Sequence, residues 1–446
     1  MFKKVTQAIA DEMDPRGKLV PVHSLLDQEH FKPLCLVRRK NKSIFHRSPR
    51  YLQTWYTLDD LLLPAEDNKS TESLFPSGAG QNSRQFTVKK RTSDRVDGSL
   101  SLCVDSASVE LIGAASLSKG WSIKLEKSHI SLPKLDALKT ERKINLNHSF
   151  IQQLQKTQQS LYVVHEAIET AEEASYEEST GAEGSFMTQL YAKFCAKGNH
   201  ESKASITIPK GCTLAFKAIH LYITDSSWDL TYFPKQGALA SDSLSQGKLG
   251  PLEAEVRKNC QILSMLSDLF AILLKAIKAV MRDRNLFQEL TQKMQAVLDE
   301  AGSCELETES PDLKDLLSSL RDSSSQLLLP LAGAITYTLD ALDELAEDQL
   351  LLLLQSLEEK IVSQQLKLVK SILEYNIECR KEPFRVDASL LSFSQEMEQE
   401  LTIVMVEMSG VKLQKDGSAI CTGEAFSAMA ALYVSLYVLD LLSNSD

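Results

Sequence analysis

The sequence has 446 residues, which is enough for two or three domains that each bury a core of their own. Hydrophobic residues make up 43% of the chain and charged residues 24%, close to the averages of soluble globular proteins. We identify no signal peptide and no uninterrupted apolar run near the roughly 18 residues of a membrane-spanning helix, so we expect neither a secreted protein nor a helical membrane protein. We therefore expect a protein that is soluble and cytoplasmic as made.

The net charge of -11 conceals an asymmetry between the two halves of the chain. Residues 1–242 contain 31 Lys and Arg against 28 Asp and Glu, whereas residues 243–446 contain 18 against 32. The first fifty residues alone contain 11 basic and 5 acidic residues. A basic N-terminal region joined to an acidic second half indicates two modules. The first would bind anionic partners, and the second would mask the first.

The first half is predicted to fold as one helix followed by many strands. Phe2, Val5 and Ile9 show helical spacing within residues 1–13, and the turn at 14–17 ends this helix. Period-2 alternation and short apolar runs between turn residues predict the strands. These strands cover 34–37, 51–58, 99–105, 121–126, 161–168 and 206–223, the last of them broken at 209–211.

The composition changes after the last predicted strand. Residues 234–247 are small, polar and punctuated by glycine, which is typical of an exposed linker. Beyond them, apolar residues such as Ile262, Leu266 and Leu269 repeat at steps of three and four, so the second half is predicted to be almost entirely α-helical. Further amphipathic helices are predicted over 310–330, 331–347, 348–376 and 425–443.

No motif in the sequence indicates catalysis or a cofactor. P-loop, HExxH, GxSxG and dinucleotide-binding fingerprints do not occur, and the eight histidines are dispersed. The eight cysteines form no CxxC pair and no zinc spacing with histidine, so we expect reduced thiols. The sequence therefore predicts a protein that is not an enzyme and that holds no cofactor and no metal.

Segments in both halves resemble the gasdermin family, and they follow the family's order along the chain. No single short match would be specific, whereas several matches in register are. The match is weakest at 65–95 and in the linker. The matching segments are 14–19 (DPRGKL), 33–40 (PLCLVRRK), 56–62 (YTLDDLL), 161–166 (LYVVHE), 207–216 (TIPKGCTLAF), 357–361 (LEEKI), 365–369 (QLKLV) and 431–433 (ALY).

The resemblance implies an α+β protein with three parts. Residues 1–233 would be a β-rich pore-forming domain with a twisted antiparallel sheet and flanking helices. Residues 234–252 would be a protease-sensitive linker, and residues 253–446 an all-α autoinhibitory domain. Cleavage in the linker would free the first domain to bind acidic phospholipids of the inner leaflet, oligomerise, insert two hairpins per subunit into a β-barrel and cause lytic cell death (pyroptosis).

The same resemblance implies where the protein acts and with what. We expect a monomer in the cytoplasm before cleavage and a homo-oligomer in the plasma membrane after it. The implied partners are acidic phospholipids and an activating protease, with no nucleic acid among them. A non-lytic lipid-binding or scaffolding adaptor is the alternative function, but an adaptor does not need a flexible, cleavable linker between oppositely charged halves.

A cluster of basic residues near the start is the predicted lipid-binding site. Each Lys or Arg near an anionic leaflet contributes about 1 kcal/mol, so a cluster gives strong, salt-sensitive attachment. A solvated surface loop is the alternative for such a run on its own. The cluster flanks Ile44 and Phe45, which we interpret as an exposed membrane wedge at a loop tip. Gasdermins usually bear an aromatic pair at this tip, and the second position here is His46. The predicted lipid-binding residues are Lys3, Lys4, Arg38, Arg39, Lys40, Lys42, Arg47 and Arg50.

Two stretches, 86–130 and 161–208, are each long enough for two membrane-spanning strands of roughly 9–11 residues. The acidic run within 172–183 cannot face lipid and would line the lumen of a barrel. The alternation of apolar and polar residues in these stretches also fits an ordinary antiparallel sheet with one solvated face. Only the resemblance to gasdermins favours membrane hairpins. Cys195, in the second stretch, is a candidate for palmitoylation, with a buried or idle thiol as the alternative.

The predicted cleavage site lies in the linker. Residues 239–242 followed by Ser243 fit a caspase site, because Asp242 stands at the cut and a small residue follows it. The run 222–225 also ends in Asp, but it lies at the end of a predicted strand, where the backbone is paired. Flexible segments are where proteolysis concentrates. We therefore predict caspase cleavage between Asp242 and Ser243, with another protease or position as the alternative.

Overall fold

The computed structural model divides the chain into two compact units. It describes residues 2–14, 18–25, 27–40, 42–46, 48–64, 85–90, 102–106, 122–157, 159–177, 205–224, 227–232, 249–299, 306–321, 328–375, 377, 382–421 and 425–443. The first unit contains the described residues up to 232, except 43–46. Those four residues belong to the second unit, together with the described residues from 249 onwards.

The first unit mixes strands and helices along the chain. Its elements are α1 (Phe2–Met13), β1 (Val20–Pro21), β2 (Cys35–Arg39), β3 (Tyr51–Thr57), α2 (Leu58–Leu61), β4 (Gln85–Lys90), β5 (Leu102–Ser106), β6 (Ser122–His129), α3 (Leu132–Glu141), α4 (Ser149–Thr157), β7 (Leu161–Thr170), β8 (Ala174–Glu177), β9 (Ser205–Ile208), β10 (Thr213–Ile223) and β11 (Trp228–Thr231). The predicted opening helix and strands are confirmed with shifted ends. The helices α3 and α4 were not predicted.

One antiparallel sheet organises the first unit. Its strand order is β1-β10-β7-β6-β4-β5, with β11 added to β10 and with β2 joining β3 to β7. β7 is central because it pairs with β10 along most of its length and with β2 and β6 at its two ends. Val163, for example, lies opposite Ile219 on one side and Leu36 on the other. β8 and β9 form a separate two-stranded ladder.

Helices cover both faces of this sheet. α1 buries Phe2 and Ile9 in a hydrophobic cluster with Phe216 of β10. α3 and α4 bury Leu135 and Ile151 in a second cluster against the opposite face. Because alternate residues of a strand point to opposite faces, strands such as β2, β7 and β10 contribute to both clusters. The first unit is therefore a helix–sheet–helix arrangement, in agreement with the predicted α+β class.

The second unit is built mainly from helices. Its elements are α5 (Leu249–Met265), α6 (Phe270–Arg282), α7 (Arg284–Asp299), α8 (Pro311–Ser319), α9 (Leu329–Glu344), α10 (Glu347–Glu358), α11 (Val362–Glu374), β12 (Phe384–Arg385), α12 (Glu396–Glu407), β13 (Val411–Leu413), β14 (Ser418–Cys421) and α13 (Ala425–Ser443). The three strands form one small sheet in the order β12-β14-β13, which the sequence did not predict.

The last helix, α13, is the core helix of the second unit. It was predicted to be amphipathic, and this is wrong, because apolar residues such as Met429, Leu432 and Leu436 are buried all round it. By length and mean hydropathy, 1.8, it could cross a membrane, but 72% of that stretch is buried inside the structure. A helix that is apolar on every side belongs to such a core or to a bilayer. Here α5, α6, α9 and α11 pack against it.

Several predicted helix boundaries in this half are wrong. The stretch 348–376 contains a break between α10 and α11, where Lys360 adopts a left-handed φ of 57° that a helix cannot continue through. The stretch 310–330 contains α8, which ends at Ser319. α5 begins at Leu249, so the last residues assigned to the linker are helical.

Candidate functional site

The candidate site is centred on residues 43–46, the tip segment, which lies between β2 and β3. The segment is a tight turn. The N–H of His46 donates to the carbonyl oxygen of Ser43 over 3.0 Å, and the N–H of Ser43 donates to Nδ1 of His46 over 3.3 Å. These two hydrogen bonds hold Ile44 and Phe45 together at the tip, where both can enter one apolar site.

Phe45 is 0% exposed and belongs to the hydrophobic core of the second unit. Its ring meets the ring of Tyr337 from α9 edge-on, with centroids 5.3 Å apart, and Ile44 packs against the same core. Burial of a Phe side chain contributes about 1.5–3 kcal/mol, and an aromatic pair adds about 0.5–1.5 kcal/mol. The predicted exposure of Phe45 is therefore wrong, because the helices offer an apolar site that residues 40–50 alone do not reveal.

Glu255 of α5 holds the backbone of the tip segment. Both of its carboxylate oxygens lie 3.2 Å from the nitrogen of Ile44, which donates its N–H, and Oε1 also accepts from the Tyr337 hydroxyl at 3.2 Å. Burial raises the pKa of the Glu255 carboxyl, while these two donors oppose the shift because they stabilise the ionised form. Burial and the charge of Glu255 raise the pKa of Tyr337, so its hydroxyl remains a donor.

Glu255 and Tyr337 were not predicted from the sequence. Glu255 is one of many acidic residues on amphipathic helices, and its type alone does not distinguish a carboxylate that accepts a backbone N–H. Tyr337 is one of eleven tyrosines, and its type alone does not distinguish the one whose ring packs against Phe45.

Two of the predicted lipid-binding residues, Arg38 and Arg39, lie on opposite faces of the β2–β3 hairpin. In β2, Leu36 belongs to the cluster under α3 and α4, whereas Val37 belongs to the cluster under α1. By strand alternation, Arg38 shares the face of Leu36, and Arg39 shares the face of Val37. Arg38 donates from Nη1 to the side-chain oxygen of Gln159, just after α4. The hairpin therefore carries positive charge on both faces.

The basic residues also differ in exposure. Arg39 and Lys42 are exposed, and the half-buried members are Lys3, Arg38, Lys40 and Arg50. Lys3 lies on α1, on the same side of the sheet as Arg39. The side chain of Lys4 and the whole of Arg47 lie outside the described residues. The structure thus brings Arg38, Arg39, Lys40, Lys42 and Arg50 to one end of the hairpin.

The stretches predicted to form membrane hairpins are strands in the part of the chain that the structure describes, and each holds three strands where two were predicted. The stretch 86–130 spans β4, β5 and β6, and 161–208 spans β7 of the sheet and the separate ladder of β8 and β9. β4 pairs with β5 on one side and with β6 on the other. In β6, Ile123 is buried and Lys124 is exposed, as the alternation predicts. The exposed Glu172 pairs with Lys124 at 3.0 Å.

The predicted cleavage and palmitoylation residues, Asp242, Ser243 and Cys195, lie outside the described residues. The alternative cleavage run at 222–225 begins inside a ladder, because Tyr222 lies opposite Asp229 and its neighbour is paired as well. A protease binds an extended, accessible backbone, and a paired strand does not provide one. The geometry of β10 and β11 is thus a reason to look for the cut in the linker.

The described cysteines form no reactive-thiol site, and the described His, Cys, Asp and Glu residues form no metal site. Cys35, Cys212, Cys260 and Cys421 are free thiols. Burial raises the pKa of the Cys212 and Cys260 thiols to about 12, so they stay protonated and unreactive. Within the part of the chain that the structure describes, no group of three or more His, Cys, Asp or Glu is placed to hold a metal ion.

Comparison with known proteins gives matches along the whole chain. Residues 1–238 match the family described as "Gasdermin pore forming domain", and residues 248–420 match "Gasdermin PUB domain". Gasdermin-A3 of Mus musculus is 33% identical, with 100% of this chain and 98% of the relative covered. Gasdermin-A of Homo sapiens is 31% identical with 100% of both chains covered, and gasdermin-D of Homo sapiens is 27% identical with 99% of both. A cryo-EM structure of the gasdermin A3 membrane pore is 25% identical over 55% of this chain and 97% of that chain, with a TM-score of 0.31.

Proposed function

Since this chain belongs to the gasdermin family of pore-forming proteins, we propose that it is the autoinhibited precursor of a membrane pore. Cleavage in the linker frees residues 1–242. The freed part binds acidic phospholipids of the inner leaflet, oligomerises and inserts transmembrane β-strands that close into a barrel. The resulting leakage kills the cell by pyroptosis.

The burial of Phe45 is the observation that carries this proposal. An apolar residue near Arg39 and Lys42 on a hairpin tip has the composition of a membrane-docking loop. In the uncut chain this residue is 0% exposed in the core of the helical unit, and Glu255 holds the neighbouring backbone. A wedge that is buried in this way is withheld from lipid. Removal of the helical unit would expose the wedge beside its basic neighbours.

The strands supply what insertion into a bilayer requires. A bilayer offers no hydrogen bonds to the backbone, so each N–H and C=O of a spanning segment has to be paired within the protein, and a closed barrel achieves this. The strand β6 already has one apolar and one polar face, because Ile123 and Leu125 are buried and Lys124 is exposed. In the barrel, residues such as Ile123 face lipid, whereas charged residues such as Lys124 and Glu172 line the lumen.

The proposal also sets the state and the partners of the chain. Before cleavage the protein is a monomer in the cytoplasm, and afterwards it is a homo-oligomer in the plasma membrane. The activating partner is a protease, which we propose to be a caspase. The proposal assigns the chain no catalytic chemistry, no cofactor and no nucleic-acid partner, because every step is binding, assembly or insertion.

Dye release from liposomes tests this function. We expect a 1–242 fragment to release an encapsulated dye from vesicles that contain anionic lipid and to spare vesicles of neutral lipid. The intact chain should release dye from neither, because Phe45 and its basic neighbours act together only after the helical unit has gone. A fragment that binds anionic vesicles without leakage would instead support the non-lytic adaptor.

The Asp242→Ala variant tests the cleavage site. A caspase binds Asp at the cut through its carboxylate, so the alanine variant should lose linker cleavage almost completely, by at least tenfold in rate. Gel electrophoresis of the intact chain after incubation with caspases measures the two products. Asp225→Ala is the matched control and should be cut at the wild-type rate. Unchanged cutting of Asp242→Ala would assign the site elsewhere.

Neutralisation of the basic residues on the β2–β3 hairpin tests whether they bind lipid. Each cation near an anionic surface contributes about 1 kcal/mol, so replacing four of them by Gln should weaken binding of the 1–242 fragment by on the order of several hundredfold at low salt. The binding should also become less sensitive to salt. Vesicle co-sedimentation measures both. The four substituted residues are Arg38, Arg39, Lys40 and Lys42. The control replaces four exposed lysines elsewhere on the same unit, Lys134, Lys143, Lys156 and Lys210. An equal loss of vesicle binding in the two variants would mean that net charge, rather than the position of these four residues, determines binding.

A further inference from the structure

An open cleft of about 320 Å³ lies in the second unit, and neither Glu255 nor Tyr337 is among the residues that line it. Its walls come from α5 and α11, and its floor comes from α13. The floor presents Tyr433 and Tyr437, one helical turn apart on α13, and one aliphatic side chain from each wall completes the lining. A recess of this volume lies within the range of ligand-binding pockets, roughly 300–1,000 Å³.

The charge of the cleft is opposite to that of the half of the chain that forms it. Arg257 lines one wall, and Lys367 and Lys370 line the other, whereas Glu253 is the one carboxylate among the lining residues. Residues 243–446 as a whole contain 18 basic and 32 acidic residues. Three cations that converge on one recess of an acidic domain are therefore a local reversal of charge, and such a reversal favours an anionic occupant.

The positive charge is not neutralised within the cleft. Glu253 pairs with Lys370 at 2.8 Å. Arg257 and Lys367 are exposed, and neither forms an ion pair with a carboxylate among the described residues. Two exposed cations, one on each wall, thus remain available to an anion. The guanidinium of Arg257 can bind a carboxylate through two parallel hydrogen bonds, and the ammonium of Lys367 can add a third.

The shape of the cleft selects among anionic partners. Tyr433 on the floor is only 5% exposed, whereas Arg257 and Lys367 on the walls are exposed, so a flat bilayer surface would meet these cations before it reached the Tyr433 ring. A projecting chain can enter, placing an apolar side chain against the tyrosine rings and carboxylates against the cations on either side. Recognition of acidic motifs by clusters of basic residues is a recurrent mode of peptide binding.

We propose that this cleft binds an acidic peptide segment of a partner protein, in which an apolar residue stands between carboxylates. Arg257 and Lys367 bind the carboxylates, and Tyr437 supplies the apolar contact and a hydroxyl. The site goes beyond the pore-forming function and does not depend on it. It gives the helical unit a partner-binding role of its own, because all of its lining residues come from that unit.

Fluorescence anisotropy with the intact chain tests the proposal. The probe is a fluorescein-labelled six-residue peptide with the sequence EELEEL, and a peptide with Lys in place of Glu is its counterpart. We expect saturable binding of the acidic probe, no binding of the basic one, and weaker binding as salt is raised. The Arg257→Gln, Lys367→Gln double variant should lose at least tenfold in affinity, and Tyr437→Ala should lose affinity as well.

The matched control is the Lys275→Gln, Lys314→Gln double variant, which makes the same change in net charge on α6 and α8. It should bind the probe within twofold of the wild type. All substituted lysines and the arginine are exposed, and thermal melts should confirm that the variants stay folded. Equal loss in both double variants would overturn the proposal. The proposal would also be overturned if the wild type bound anionic vesicles but not the peptide, and if the cleft double variant lost this vesicle binding. That result would assign the cleft to a lipid headgroup.

Discussion

The intact chain carrying Glu255→Lys is expected to release dye from anionic vesicles without any protease, whereas the wild-type chain retains the dye. The substitution removes both oxygens that accept the Ile44 N–H and places an ammonium beside a backbone donor. A hydrogen bond to a charged group contributes about 1.5–3 kcal/mol, so the bound state of the tip segment should fall by on the order of 10- to 100-fold in population.

Glu253→Lys is the control for this release. It makes the same change of charge on the same helix, two residues earlier, at a carboxylate that pairs with Lys370 and does not touch the tip segment. The intact chain with this substitution should release no dye from anionic vesicles. Tyr337→Phe gives an intermediate case, because it keeps the ring against Phe45 and removes one donor to Glu255. Leakage by Glu253→Lys equal to that of Glu255→Lys would mean that damage to α5 itself, rather than loss of this contact, opens the protein.

A proline at Val88 in the 1–242 fragment is expected to abolish leakage while vesicle binding persists. Val88 lies in β4 and pairs with Val104 of β5 and Ile123 of β6, so the strand has neighbours on both sides. Proline has no N–H, and it therefore removes a ladder hydrogen bond from a central strand. In hydrocarbon the unpaired group costs several kcal/mol, which is enough to suppress insertion by more than tenfold.

Val88→Ile is the matched control, since it keeps both the N–H and a β-branched side chain at the same position. Dye release and vesicle co-sedimentation are measured on the same preparations, because retained binding shows that the variant fragment is still folded. Full leakage by Val88→Pro would exclude β4 from the spanning part of the barrel. Loss of binding together with leakage would mean instead that the sheet needs β4 before it reaches the membrane.

The sequence predicted the elements whose patterns are local. Ile123 and Lys124 alternate between core and solvent as expected, and Phe2, Val5 and Ile9 form the buried face of α1. Patterns that depend on a distant partner were missed. α13 is a different kind of error, because its apolar residues lie on every side and this pattern of a fully buried helix is visible in its own sequence, yet an amphipathic helix was predicted.

The candidate site shows the same limit. The basic residues and the pair Ile44–Phe45 could be selected because their types and spacing are visible along the chain. The burial of Phe45 could not be predicted in this way, since it depends on Tyr337 and Glu255, which are more than 200 residues away in the sequence. The left-handed φ of Lys360 was likewise invisible, because a lysine gives no sign of a helix break.

The tip segment also bears on how a single cut can act as a switch. The segment is covalently part of residues 1–242, while Phe45 and Ile44 are held by Glu255 and Tyr337. These contacts together contribute about 4–7 kcal/mol, which corresponds to a dissociation constant between about 1 mM and about 10 μM. Within one chain the effective concentration of the two sides is in the millimolar range, at or above this constant, so the segment stays bound. After the cut, the same unaltered contact faces micromolar concentrations and comes apart by dilution. Inhibition should then return when the severed helical part is supplied in large excess.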